Sequence, residues 1–138
     1  MSAPVLPGAL PLYRLVVARA KTLEPRVLVF EKPPADDASR GVPYLIIDPD
    51  PGFDAVTRAA GGVSSRRGRW HVRCCGSSRE QALLALDAAR GVFLNWRPYT
   101  DLRYGAARET EADPLTVDRT VPTDIRYVLG LTYDVDDD

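Results

Sequence analysis

Residues 69–82 read Arg69-Trp70-His71-Val72-Arg73-Cys74-Cys75-Gly76-Ser77-Ser78-Arg79-Glu80-Gln81-Ala82, and this stretch decides the fold class. Trp70, Val72 and Cys74 alternate with Arg69, His71, Arg73 and Cys75. A period of two marks a strand with one face on a core and the other on solvent or a partner. Gly76 breaks the strand. Two overlapping helix starts follow, Ser77 with Glu80 or Ser78 with Gln81. In either, a serine hydroxyl accepts a hydrogen bond from an orphan N–H of the first turn. Ala82, Leu86, Ala89 and Phe93, widened by Leu83, then recur at helical spacing, and Pro98 marks the end.

Upstream, Pro11 suits the first turn of a helix, where its missing N–H costs nothing. Leu12, Leu15, Val16, Ala20 and Leu23 fall on one helical face before Pro25 stops it. Residues 26–31 read as a strand. Residues 42–48 read as a second, and the unbroken run Tyr44-Leu45-Ile46-Ile47 implies burial on both faces. Residues 53–65 are ambiguous: Gly61-Gly62 and Ser64-Ser65 suggest a flexible loop that ends in Arg66, Arg67 and Arg69. Downstream, residues 99–124 are polar and turn-rich, with a short strand around Leu115-Thr116-Val117. Ile125 to Val135 alternates again and reads as the last strand.

The order is helix, two strands, loop, strand, helix, loop, strand. It predicts an α+β two-layer sandwich, a mostly antiparallel or mixed sheet with two helices on one face. The 138 residues suit one domain spanning 1–138, with 1–10 and 134–138 expected to be loosely ordered. The first apolar stretch, Leu12 to Ala20, contains Arg14 and follows Pro4, Pro7 and Pro11, so it reads as a soluble amphipathic helix and not as a signal peptide. No apolar run approaches the ~20 residues that cross a bilayer, and no membrane role is expected.

The formal net charge of -1 argues against a global basic field for nucleic acid. Charge is locally uneven, with arginines at 66, 67 and 69 and aspartates at 134, 136, 137 and 138. The two cysteines are adjacent, so in a strand they point to opposite faces and are poor partners for each other. No second cysteine pair is present to build a zinc site, and the usage fits a reducing compartment.

His71, the one histidine, lies in a strand between arginines, and no Gly-x-Ser-x-Gly elbow accompanies it. Cys74 shares the core face with Trp70 and reads as an inert small hydrophobe. Cys75 reads as nearer the surface and close to a helix start, which lowers a thiol pKa, but it has no second histidine to work with. Prolines 49 and 51 spoil Asp48, Asp50 and Asp54 as a calcium loop, and Gly61-Gly62 lacks the Lys-Ser/Thr of a phosphate loop. No catalytic, cofactor or metal site is expected. Trp96, Tyr99 and Tyr104 suit either a subunit interface or the closing of the core.

The segment Val42-Pro43-Tyr44-Leu45-Ile46-Ile47, the strand ending at Gly76, and Ser77-Ser78-Arg79-Glu80-Gln81-Ala82 leading to Ala89-Arg90-Gly91-Val92-Phe93-Leu94 occur in that order. This pattern resembles the tail terminator (tail completion) proteins of siphophages infecting actinobacteria. With the first helix and last strand, the resemblance spans nearly the whole chain; residues 53–68 and 99–123 follow no pattern of the family. The resemblance implies a non-enzymatic structural subunit without cofactors, forming a hexameric ring at the head-proximal end of the tail. The ring would cap the tail tube, end its polymerisation and present a surface to the head-side connector. Its partners would be copies of itself, the tail tube protein and the connector or neck protein, with DNA passing through the lumen without specific binding. Assembly would take place in the host cytoplasm, and the finished subunit would sit in the virion. Arg66, Arg67, Arg69 and Arg73 are the candidate subunit or ring-to-ring interface. The alternatives are another head–tail connector (head-closure) protein, a small enzyme using Cys75 or His71, and a nucleic-acid-binding module using the arginine cluster.

Overall fold

The computed structural model describes residues 8–34, 41–51, 53–57, 63–100, 105–121 and 124–136; the side chains of 53–57, 63–67 and 136 fall outside that description. The elements are α1 (Ala9–Lys21), β1 (Leu28–Phe30), β2 (Tyr44–Pro49), β3 (Phe53–Thr57), β4 (Val63–Gly76), α2 (Arg79–Phe93), β5 (Arg108–Asp118) and β6 (Arg126–Asp136). The strands form one sheet in the order β1-β2-β4-β6-β5, and β3 pairs with β4 beside this path. β1 runs parallel to β2 and the other pairings are antiparallel. The expected α+β sandwich, a mixed sheet with both helices on one face, is the fold observed.

The alternation in β4 sets the two layers. Trp70, Val72 and Cys74 are buried, and β6 places Tyr133, Leu131 and Leu129 directly opposite them. Leu12, Val16 and Ala20 of α1 and Ala85, Leu86, Ala89 and Phe93 of α2 complete this core. Its centre is aromatic: the Trp70 ring lies 5.7 Å from Tyr133, 5.6 Å from Phe93 and 6.0 Å from Trp96. Such offset and edge contacts are favoured by the ring quadrupoles. The buried stripe on α1 is narrower than its sequence suggests. Leu15 is exposed, because positions 12, 16 and 20 already cover the contact with the sheet. Leu83 is likewise half-exposed and does not widen the stripe of α2.

Of the two possible helix starts, Ser78 is the cap: its hydroxyl accepts from the Gln81 N–H at 3.2 Å. Gln81 reaches back through Oε1 to the Ser77 N–H at 2.9 Å, so the reciprocal bond falls one residue earlier than in a standard capping box. Gly76 is needed for this join. A Cβ there would lie 2.3 Å from the Cβ of Gln81 and 2.9 Å from the Ala82 nitrogen, distances no side chain adopts. At the other end Asn95 takes a left-handed φ of 64°, which asparagine tolerates. The Val92 carbonyl then accepts from Arg19 of α1, tying the helices together.

Three expectations are corrected. The turn-rich reading of 99–124 catches only the end of β5: the short strand around Leu115-Thr116-Val117 belongs to an eleven-residue edge strand. An edge strand pairs on one side only, and its exposed, charged sequence carries no clean period. Pro114 sits where the register with β6 slips between Asp113 and Thr116, the kind of site where a strand accepts proline. The loop expected at 53–65 contains β3, paired to residues 63–67 of β4, so Arg66 and Arg67 lie on a strand; residues 58–62 between them fall outside the described residues. Loose order from 134 onward does not hold either. Asp134 is 1% exposed and β6 continues through Asp136, while 137 and 138 lie outside the described residues. At the other end α1 already begins at Ala9, and residues 1–7 lie outside the described residues.

Candidate interface on the helix-free face of the sheet

One residue out of phase with the core, β4 presents Arg69, His71, Arg73 and Cys75 to the face that neither α1 nor α2 covers. β6 places Asp134, Thr132, Gly130 and Val128 opposite them, and β2 places Asp48, Ile46 and Tyr44 on the other side. The register of antiparallel strands therefore brings unlike charges from distant parts of the chain side by side.

Arg69 donates from Nε to Asp134 Oδ1 at 2.7 Å and from its terminal nitrogen to Oδ2 at 3.1 Å. Arg73 makes the same two-point contact with Asp48, at 2.8 and 3.1 Å. The carboxylate hydrogen bonds raise both guanidinium pKa values above their ordinary level. The pairs differ in burial: the Asp134 side chain is 2% exposed, the Asp48 side chain 36%. Between them His71 holds Asp50 Oδ2 at 2.8 Å through Nε2 and the Thr132 hydroxyl at 3.0 Å through Nδ1. Gly130 keeps the row open, since a Cβ there would come within 2.6 Å of an Asp113 oxygen on β5.

Asp50, His71 and Thr132 form a carboxylate–imidazole–hydroxyl line, the arrangement that activates a nucleophile in hydrolases. Here the hydroxyl belongs to a residue 5% exposed, in the middle of a central strand. Its neighbouring backbone N–H groups belong to the ladder and do not converge on a reacting oxygen, which acyl transfer requires. The line orients strand side chains across the sheet.

Next to this lattice lies a small apolar cluster of Tyr44, Ile46 and Cys75, flanked by Leu28, Phe30 and Val128. Cys75 is 1% exposed, not near the surface as its position suggests, because Tyr44 of β2 and Val128 of β6 enclose it. Burial pushes its thiol up to about 11, and burial drives the Cys74 thiol further still. Neither is a nucleophile at neutral pH. Arg126 covers the cluster: its guanidinium lies 5.6 Å from the centre of the Tyr44 ring, donates to the Tyr44 hydroxyl at 2.9 Å and to Asp124 at 2.8 Å. Burial pushes the Tyr44 hydroxyl up to about 12. A cavity of about 250 Å³ opens here, lined by Pro33, Tyr44, Cys75, Asp118, Arg126 and Val128 among others.

Of the four arginines expected at an interface, Arg69 and Arg73 are thus brought together on one face, each holding a carboxylate of its own chain. The side chains of Arg66 and Arg67 lie outside the described residues; their backbone continues the same strand into the pairing with β3. The partners Asp48, Asp50, Thr132 and Asp134 have no motif. They become visible only once the register is known. Trp96 packs on the core and Tyr99 is buried, so both help to close it, while Tyr104 lies outside the described residues. Among the described residues no cluster of three or more His, Cys, Asp or Glu side chains gathers as metal ligands, and no helix is long and apolar enough to cross a membrane.

The fold is a two-layer α+β sandwich with an open mixed sheet, and it is shared with a chain of known structure. That chain belongs to the virion of a native gene transfer agent particle; the two match with a TM-score of 0.53 and 14% identity over 94% of this chain and 96% of the other. At this identity the match is one of fold. No family model and no curated protein matches the sequence.

Proposed function

We propose that this chain is a structural subunit of a phage-type virion, acting as the tail terminator. Copies of it form a ring that caps the tail tube, ends its polymerisation and offers the joining surface for the head-side connector. The observation that carries this reading is the correspondence in fold, nearly end to end, with a chain of a virion. The family resemblance over residues 42–98 supports it. The structure supplies a physical reason for that motif: Gly76 and the Ser78–Gln81 cap lock α2 onto β4, which makes the motif a device for building the sandwich.

A ring of identical subunits needs a heterologous interface, with two different patches on one chain that match each other. Arg66 and Arg67, on the part of β4 that pairs with β3, belong to one such patch in this proposal. Arg69 and Arg73 stiffen the strand that carries it. A near-neutral chain around a lumen lets DNA slide through without holding it. The subunit would work at the head-proximal end of the tail after assembly in the host cytoplasm.

The test is deletion of the gene from the phage or particle that carries it, followed by electron microscopy. Overlong, headless tubes are expected. Tails of normal length beside filled, unjoined heads would move the chain to the neck. Normal infectious virions would overturn the structural reading.

A further inference from the structure

β4 is longer than its neighbours. β2 pairs with residues 70–75 and β6 with 67–76, so the backbone of 63–66 pairs with β3 alone among the described elements. Among the described residues, β3 in turn pairs with β4 alone. The β3–β4 hairpin is therefore an arm continuing past the shared ladder of the sheet. Its sequence, residues 53–67, carries Arg58, Arg66 and Arg67 against one acid, Asp54.

The opposite edge of the sheet is β5, with eleven residues and, among the described residues, a strand partner on one side only. It carries Glu109, Glu111, Asp113 and Asp118 against one arginine, Arg108. Glu109 is bound to Arg90 of α2, and Asp118 accepts from the Thr120 N–H. Glu111 and Asp113 are exposed and form no ion pair among the described residues. A long open edge is a standing template for another strand. The charge of this edge is opposite to that of the arm.

We infer that the arm of one copy docks along the β5 edge of a second copy, by strand addition, in the register that sets Ser65 beside Ala112 and Arg66 on the face of Glu111 and Asp113. This deepens the ring reading and rests on it, naming the two matching patches that a heterologous interface requires. Arm and edge lie at different places on the chain, so each copy uses its arm on one neighbour and its edge on the other. Such a head-to-tail contact closes into a ring when the rotation per subunit allows.

The contact is tested by cysteine pairing in the purified full-length chain, whose native cysteines are buried. A mixture of Ser65→Cys and Ala112→Cys single variants is exposed to a mild oxidant, and the hybrid covalent dimer is quantified by mass spectrometry. A mixture of Ser65→Cys with Leu94→Cys, on the exposed end of α2, is the control. The arm–edge hybrid should exceed the control by at least about tenfold. Adding R66E to the arm variant should abolish that excess, and E111K with D113K on the other partner should restore it. A yield equal to the control, or an excess indifferent to charge reversal, would overturn the contact. Overlong tubes on gene deletion without arm–edge pairing would keep the terminator and reject this interface. Pairing together with normal virions would do the reverse.

Discussion

On β4 the two faces of one strand are held by different forces. Trp70, Val72 and Cys74 lie in a layer of hydrocarbon and aromatic rings, and one residue away Arg69, His71 and Arg73 lie in a lattice of cross-strand hydrogen bonds. The first face derives its stability from removing apolar area from water, which is non-directional and grows with area. The second gains little from its attraction, because pairing must offset desolvation. What it contributes is geometry. Each two-point arginine–carboxylate contact fits one register, and slipping a strand by a residue would separate every pair at once. The core thus accounts for most of the stability, and the helix-free face specifies the alignment of β2, β4 and β6.

This division can be broken most forcefully at Trp70. Trp70→Ala removes the ring at the centre of the aromatic cluster and should cost about 3–5 kcal/mol of unfolding free energy, read by urea denaturation. A loss below about 1 kcal/mol would mean the core is not where stability resides.

The helix-free face makes a sharper prediction, because it holds two pairs of the same geometry at different depths. Arg69→Ala strands the Asp134 carboxylate, 2% exposed, and should cost about 2–3 kcal/mol. Arg73→Ala leaves Asp48, 36% exposed, to water and should cost less than about 1 kcal/mol. Equal costs in parallel denaturation curves would show that burial does not rank these pairs.

At the join between the faces, Gly76→Ala should destabilise by about 1–3 kcal/mol, since the new methyl meets the backbone of α2 and not a movable side-chain tip. An unchanged melting temperature would mean that α2 shifts freely on the sheet.

The smallest effect is at Glu109, which links α2 to the edge strand. Its hydrogen bond from Arg90 holds the carboxyl below its ordinary value of 4.5. A lowered folded-state pKa contributes stability that is present above 4.5 and is lost as pH falls through the folded value. Glu109→Gln should therefore be less stable than the parent by about 1 kcal/mol at neutral pH. The gap should close under acid, and a gap constant from neutral pH to pH 3 would assign the effect to packing.

The helices and the strands on either side of Gly76 were legible in the sequence because each buries one face against a partner, and one-sided burial leaves a period of 2 or 3.6. The same logic recovered the burial of Tyr44 to Ile47 on both faces. It failed where burial is absent or comes from afar. β5 has few buried side chains to impose a period, and β3 carries no pattern that separates it from a loop. Cys75 stands on the polar phase of β4, yet Tyr44, thirty-one residues earlier, and Val128, far downstream, close over it. The arginines of the candidate interface were visible as a local excess of charge, but their carboxylate partners were not, because Asp48 and Asp134 are brought to them only by strand register.

The sequence by itself determined the layer composition of this protein: which strand faces are apolar, where α2 starts to within one residue, and that two helices cover one side of a sheet. Those features follow from near neighbours in the chain and from the periodic geometry of helix and strand. Only the tertiary structure decided which strands lie side by side, which edge stays open, which arginines are held and by whom. Those depend on contacts between residues tens of positions apart, and nothing local in the sequence encodes that distance.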